Sequence, residues 1–169
     1  MSRHLAAWLA AALLVCWCVG AYNRLVRLRE ASTVAFKDLL AVLAERHRYV
    51  GEWLAAAAPS AADAVAGAAW QALDSACRQS RAAADHAAAR PAAAAPLASL
   101  VLAEQVLGGV LAQSAPDSAL VAAVATTDGR RSAARDRFNA ASLAYNRAAR
   151  QFPTRIVARL FAFRPAGTL

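Results

Sequence analysis

Few residues in this chain are of types that do chemistry, and their spacing decides what they could do. Glu45, Arg46 and His47 place a carboxylate, a guanidinium and an imidazole in succession. Successive helical positions diverge by about 100°, however, and a bundle metal site needs Glu-x-x-His on facing helices, a spacing found nowhere here. His47 lies on an otherwise apolar seam and reads as a core or boundary residue, and Asp85-His86 sits in an alanine-rich, solvated stretch. There is no Cys-x-x-Cys-His for haem, no glycine-rich phosphate loop and no nucleophile elbow. Catalysis is therefore not expected, nor is a cofactor, a metal or a small-molecule substrate. Cys16, Cys18 and Cys77 form no disulfide framework and read as small hydrophobes on helix faces.

Two further groups have suggestive chemistry. Tyr22-Asn23, Phe138-Asn139 and Tyr145-Asn146 put three amides beside aromatic rings, and Asn139 and Asn146 are seven residues apart on one helix face. Such a pair is either a buried amide ladder that fixes helix register, as a core Asn does in coiled coils, or a polar site that meets a partner. Arg130, Arg131, Arg135, Arg137, Arg147 and Arg150 belong to a segment, residues 128–169, that carries nine Arg against two Asp, +7 of the chain's formal +8. These arginines fall around several helix faces with few aromatics between them, so they read as a solvated or lipid-facing surface, and no nucleic acid is expected.

The elements that must position these residues are helical. The 169-residue chain is 59% hydrophobic and dominated by alanine, with little Gly or Pro inside its periodic segments, which predicts an all-α domain. Leu120, Val124, Thr127, Arg131, Ala134, Phe138, Ala141, Tyr145, Ala148 and Phe152 recur at spacings of four and three, one stripe of a long helix that Pro153 ends. Two adjacent seams, Leu25, Leu28, Ala35, Leu39, Val42, Tyr49, Trp53 and Tyr22, Val26, Phe36, Leu40, Leu43, Val50, Leu54, give the first helix a wide apolar face. Pro59-Ser60 stops it, and Ser60 with Asp63 opens a second helix reaching about residue 89. A third runs over 97–113 beyond Pro91 and Pro96, and Pro116-Asp117-Ser118 starts the fourth. The expectation is an elongated antiparallel four-helix bundle over residues 22–164, with a short helix after Pro153 and a tail at 165–169.

Residues 5–21 carry no charge over seventeen positions, about 26 Å of helix, enough for a thin bilayer core. This reads as an uncleaved transmembrane anchor, residues 1–21. A cleaved signal peptide is the rival, since Val19-Gly20-Ala21 resembles a cleavage site, but the helical pattern continues without a break into Tyr22, Leu25 and Val26. If the four helices alternate up and down, residues 152–164 return to the headgroups. Arg155, Ile156, Arg159, Leu160 and Phe161 are then candidates for lipid contact, the alternative being that the short helix only closes the bundle core. Arg24, Arg27 and Arg29 after the anchor outnumber Arg3 before it, which leans toward a cytoplasmic bundle.

The residues at both ends resemble the LemA family: Tyr22-Asn23 with Leu25-Val26 after a membrane segment, then Phe138-Asn139, Tyr145-Asn146 seven residues on, Phe152-Pro153 and a closing Leu-Phe-Ala-Phe. The resemblance implies a membrane-anchored, elongated helical bundle of bacteria whose biochemical role is unsettled. It picks out Tyr22, Asn23, Phe138, Asn139, Tyr145, Asn146, Phe152 and Pro153 as register or interaction candidates. The chain departs from the family's Tyr-Asp-Leu-Ile-Pro-Asn-Leu-Val run, having Tyr49, Val50, Gly51, Glu52, Trp53 and Leu54 there, and lacks the Glu-Ala-Tyr-Pro run near Gln113-Ser114-Ala115-Pro116. The expected function is a non-enzymatic scaffold or interaction module, single-pass in the bacterial inner membrane, with a membrane-protein partner or a homo-oligomer. The alternative is an anionic-lipid-binding or envelope-stress element working through the Arg-rich end.

Overall fold

The computed structural model describes residues 2–56, 64–114 and 117–169. Pro59, Ser60, Asp63 and Pro116, to which the sequence assigns helix stop and start signals, lie outside the described residues. The elements are α1 (Ser2–Ala56), α2 (Ala64–Ala89), α3 (Ala94–Gln113), α4 (Ser118–Arg150) and α5 (Thr154–Leu160), with no strand among the described residues. The apolar N-terminal stretch and the first bundle helix are one continuous helix. Leu5, Trp8, Leu9, Leu13, Leu14 and Val15 are all exposed, and burial begins at Ala21 and Leu25. The first part of α1 therefore overhangs the bundle.

Local chemistry explains the other boundaries. The Asp117 carboxylate accepts from the Leu120 backbone N–H at 2.7 Å and caps α4. α3 starts at Ala94, three residues before the expected Leu97, because Pro96 falls in its first turn, where a missing N–H breaks no helical bond. α4 ends at Arg150, where Gln151 turns extended with ψ 135°, two residues before Pro153, which has no N–H to continue the helix.

α1 and α4 run antiparallel along their length. As residue numbers climb in α1 they fall in α4, through Leu25 near Tyr145, Ser32 bonded to Ser142, Phe36 stacked on Phe138 at 5.1 Å, and Arg46 beside Asp128. α2 packs antiparallel on α1, with Trp70 Nε1 donating to the Leu54 carbonyl and Cys77 lying under His47. α3 returns along α2. α3 and α4 make no close backbone approach among the described residues. The bundle is thus a ring α4–α1–α2–α3 left open along one seam.

The α4 stripe is buried as expected at Leu120, Val124, Thr127, Ala134, Phe138, Tyr145 and Ala148, with three corrections. Ser142 rather than Ala141 faces α1, since a spacing of four from Phe138 keeps the stripe pointing inward. Arg131 lies half-buried at the edge, paired with Asp128 at 3.2 Å. Phe152 is 77% exposed, because the helix has already ended and the four-residue step from Ala148 no longer describes its direction.

Candidate functional site

Four polar side chains from three helices meet inside the upper half of the bundle. Arg46 Nη1 donates to Glu104 Oε2 at 2.7 Å. His47 Nε2 lies 2.8 Å from Glu104 Oε1 and 2.9 Å from Ser80 Oγ, and the Ser80 hydroxyl donates to the same carboxylate oxygen. All four residues are buried. Burial alone would raise the Glu104 pKa; the hydrogen bonds from His47 and Ser80 and the charge of Arg46 outweigh it, and the net direction is down. His47 is thus a satisfied core residue, and Glu45 beside it faces outward to Arg130. Arg81 donates to the His47 carbonyl at 2.6 Å across Gly51, where a Cβ would stand 2.8 Å from the guanidinium. Among the described residues no three His, Cys, Asp or Glu side chains gather as metal ligands.

The Asn candidates do something else. Asn139 and Asn146 turn their amides not toward a facing helix but toward the C-terminal tail. Asn146 Nδ2 donates to the Ala166 carbonyl and its Oδ1 accepts the Ala166 N–H, both at 2.8 Å. Asn139 makes the same pair with Leu169, both at 2.8 Å. Tyr145, buried and with its pKa raised by burial, donates to the Arg164 carbonyl at 2.8 Å. A carboxamide offers one acceptor and a donor pair, so it matches the N–H and C=O of a single residue in extended chain. The spacing is commensurate: seven helical residues rise about 10.5 Å and three extended residues about 10 Å. Gly167 between the clamps donates to the Ala92 carbonyl at 3.0 Å and lies so close to α3 that a Cβ would meet Leu97 Cδ1 at 2.8 Å and the Ala94 Cα at 3.1 Å. The tail therefore fills the lower half of the α3–α4 seam, reaching Leu169 among the core residues Phe36, Leu97 and Phe138.

Next to Leu169 the seam holds a cavity of about 520 Å³. Its floor is Leu39, Leu43 and Arg46 of α1, and its walls include Leu100 and Leu111 of α3 and Val121 and Val124 of α4, with Arg131 and Arg135 at one side. Arg46 Nε is buried there without a hydrogen-bond partner, 3.6 Å from Asp128 Oδ1.

At the opposite end, α5 docks where α1 leaves the bundle. Thr154, Val157 and Ala158 are buried, the last two in a cluster with Ala21, Leu25, Tyr145 and Ala148. Tyr22 stacks on Phe161 and Phe163 with centroids at 5.0 and 5.7 Å. Ile156, Leu160 and Phe161 are exposed by 57, 76 and 54%, so docking uses the Val157 side and leaves these three, with exposed Arg155 and Arg159, beside the overhanging apolar helix. Asn23 is exposed and joins neither clamp, and Pro153 stands as the cap position before α5.

Sequence reasoning did not single out Glu104, Ser80 or the Ser32–Ser142 hydrogen bond. A lone carboxylate within Leu-Val-Leu-Ala-Glu-Gln-Val-Leu was the available signal for Glu104, but its partners come from helices distant in sequence.

Fold and site together define an up-and-down helical bundle with an apolar helical extension, its open seam half-filled by its own tail. The chain matches the LemA family over residues 61–169 and belongs to that family. The matched region holds the Asn139 and Asn146 clamps, whereas the Tyr22-Asn23 resemblance lies outside it. No curated protein and no solved structure matches the chain.

Proposed function

We propose that this LemA-family chain is a non-enzymatic interaction module held in the bacterial inner membrane by the first part of α1, its bundle standing in the aqueous phase. The observation that carries the reading is the overhang: α1 is long and apolar enough to cross a membrane, and its window of highest hydropathy is only 6% buried. Leu9 and Leu13 have no bundle neighbours to shield them, so water or lipid must surround them, and seventeen uncharged residues in water would be costly. α3 also passes the length and hydropathy test, but Leu97, Leu100, Leu107 and Leu111 are core residues of the bundle. Retention after an alkaline carbonate wash tests the anchor. Leu9→Arg with Leu13→Arg should release the chain while bundle helicity persists; full retention of that variant contradicts the reading.

A second reading, binding of anionic lipid through α5, is favoured by Ile156, Leu160 and Phe161 projecting next to the helix exit with Arg155 and Arg159. Here α5 would lie at the headgroups, its arginines on phosphate and its apolar side chains at the acyl boundary. Fluorophore-labelled α5 in reconstituted chain should report closer contact with anionic than with neutral bilayers, and the difference should vanish at high salt. Equal contact with both removes the electrostatic part of this reading.

A further inference from the structure

A different cavity, of about 580 Å³, lies between α1, the α2–α3 connector and residues 164–166. Arg29 of α1, Arg90 of the connector and Arg164 all line it, and no carboxylate does. None of the three has an ion pair among the described residues, whereas Arg46 and Arg130 each meet a glutamate from another helix. Arg29 also breaks a pattern. Leu25, Arg29, Ser32 and Phe36 follow one another at spacings of four, three and four, and the other three are buried. A guanidinium thus stands on the α1 stripe where the period asks for a core side chain, and it shares the cavity lining with buried Ser32 and Tyr145.

The backbone that carries each arginine is fixed. Thr33 Oγ1 donates to the Arg29 carbonyl at 3.0 Å, the Ala93 N–H to the Arg90 carbonyl at 3.0 Å, and the Tyr145 hydroxyl to the Arg164 carbonyl at 2.8 Å. Fixed attachment points lower the ordering cost of binding. Ala93 and Ala94 at the start of α3 line the cavity as well, and the N-cap Ala93 has no side chain to satisfy that helix end. Its partial positive charge adds to that of the arginines. Repulsion among three guanidiniums without an acid between them is relieved when an anion enters.

We infer that this cavity binds a phosphate monoester, its terminal oxygens on Arg29, Arg90 and Arg164. Such a group carries close to two negative charges and three strong acceptor oxygens, one for each guanidinium, whereas a carboxylate or a phosphodiester offers one charge and two oxygens. The volume is that of a small-molecule site, which leaves room along the alanine and proline wall for the group that bears the phosphate. Two sources present this chemistry, a soluble phosphorylated compound and a lipid with a phosphomonoester headgroup. Arg29 is eight residues, about 12 Å of helix, past Ala21, where burial begins. The lipid source rests on the anchor reading above; the phosphate site itself does not, and either can fail alone.

Calorimetric titration of the full chain in phosphatidylcholine nanodiscs, with glycerol 3-phosphate as probe and glycerol as uncharged control, tests the site. Glycerol 3-phosphate should bind saturably and glycerol should not. Arg29→Gln, Arg90→Gln and Arg164→Gln should each weaken binding about tenfold, while Arg27→Gln, two positions from Arg29, should leave it unchanged. All four side chains are exposed, so the variants should keep the wild-type circular dichroism spectrum. Native mass spectrometry of the chain from nanodiscs containing phosphatidic acid then separates the sources. Retention of phosphatidic acid that is lost in Arg29→Gln with Arg164→Gln, yet kept in Arg155→Gln with Arg159→Gln, assigns the lipid source. Glycerol 3-phosphate binding without such retention assigns the soluble one. The proposal is overturned if the probe does not bind and no lipid retention depends on the cavity arginines, if binding survives all three replacements, or if Arg27→Gln costs as much as they do.

Discussion

Removing the Glu104 carboxylate tests whether the polar core is held as described. In Glu104→Leu, Arg46 keeps its charge at 3% exposure while losing its 2.7 Å partner, and His47 and Ser80 lose a shared acceptor. Breaking one side of a buried pair costs roughly 3–5 kcal/mol. Asp128, 3.6 Å from Arg46 Nε and half in solvent, offsets part of it, so the expected cost is near 3 kcal/mol, or about 6–12 °C in Tm for a chain of this size. Arg46→Leu with Glu104→Leu should cost less than Glu104→Leu alone, since an apolar pair replaces the ionic one and no buried charge is stranded. The pH dependence has a definite sign. The Glu104 pKa in the folded chain lies below its ordinary 4.5, so its contribution is complete above that value and disappears as pH falls through the lower, folded pKa. Wild type should therefore lose stability in that acid window more steeply than Glu104→Leu. Denaturant unfolding followed by far-UV circular dichroism, on protein in micelles, measures all three. A single-variant cost below about 1 kcal/mol, or a double variant costing the sum of the singles, refutes the reasoning.

The other predictions concern the clamps and the stripe. Asn146→Leu removes two hydrogen bonds at 2.8 Å and strands two backbone groups of Ala166; a loss of about 1–3 kcal/mol is expected. Helix content should stay unchanged, with the Ala166 amide losing its hydrogen-exchange protection; unchanged protection would contradict the clamp. Phe138→Ala removes a fully buried ring stacked on Phe36 and should cost about 3–5 kcal/mol. Phe152→Ser, at a position 77% exposed, should change unfolding stability by no more than about 0.5 kcal/mol in micelles.

Helix periodicity made most of this architecture legible. The absence of any break between Val19 and Leu25 announced one continuous α1, and Asp117 announced the start of α4. What failed were inferences that crossed a local rule or needed the third dimension. Phe152 was counted on the stripe by continuing a spacing of four past Ala148, although a residue before proline does not continue a helix. The seven-residue spacing of Asn139 and Asn146 puts them on one helix face, yet whether that face meets a helix or an extended chain depends on where residues 164–169 turn back. The match between the rise of seven helical residues and three extended ones was present in the sequence, as was a glycine midway between the future contacts. Glu104, Ser80 and Arg46 could not be joined without knowing the register of three helices, and the open seam has no sequence signature because it is a gap between helices that each look complete.

The central claim, a bundle outside the bilayer on an anchor inside it, is tested most directly by the four tryptophans. Trp8 and Trp17 lie in the exposed apolar part of α1, whereas Trp53 and Trp70 pack against the bundle core at its far end. With the full chain reconstituted in vesicles whose lipids carry bromine on the acyl chains, the account predicts quenching of the emission from Trp8 and Trp17 alone. Replacing those two with phenylalanine should abolish the quenching, while replacing Trp53 and Trp70 should leave it intact. Emission unaffected by brominated lipid, or quenching that survives loss of Trp8 and Trp17, would contradict it.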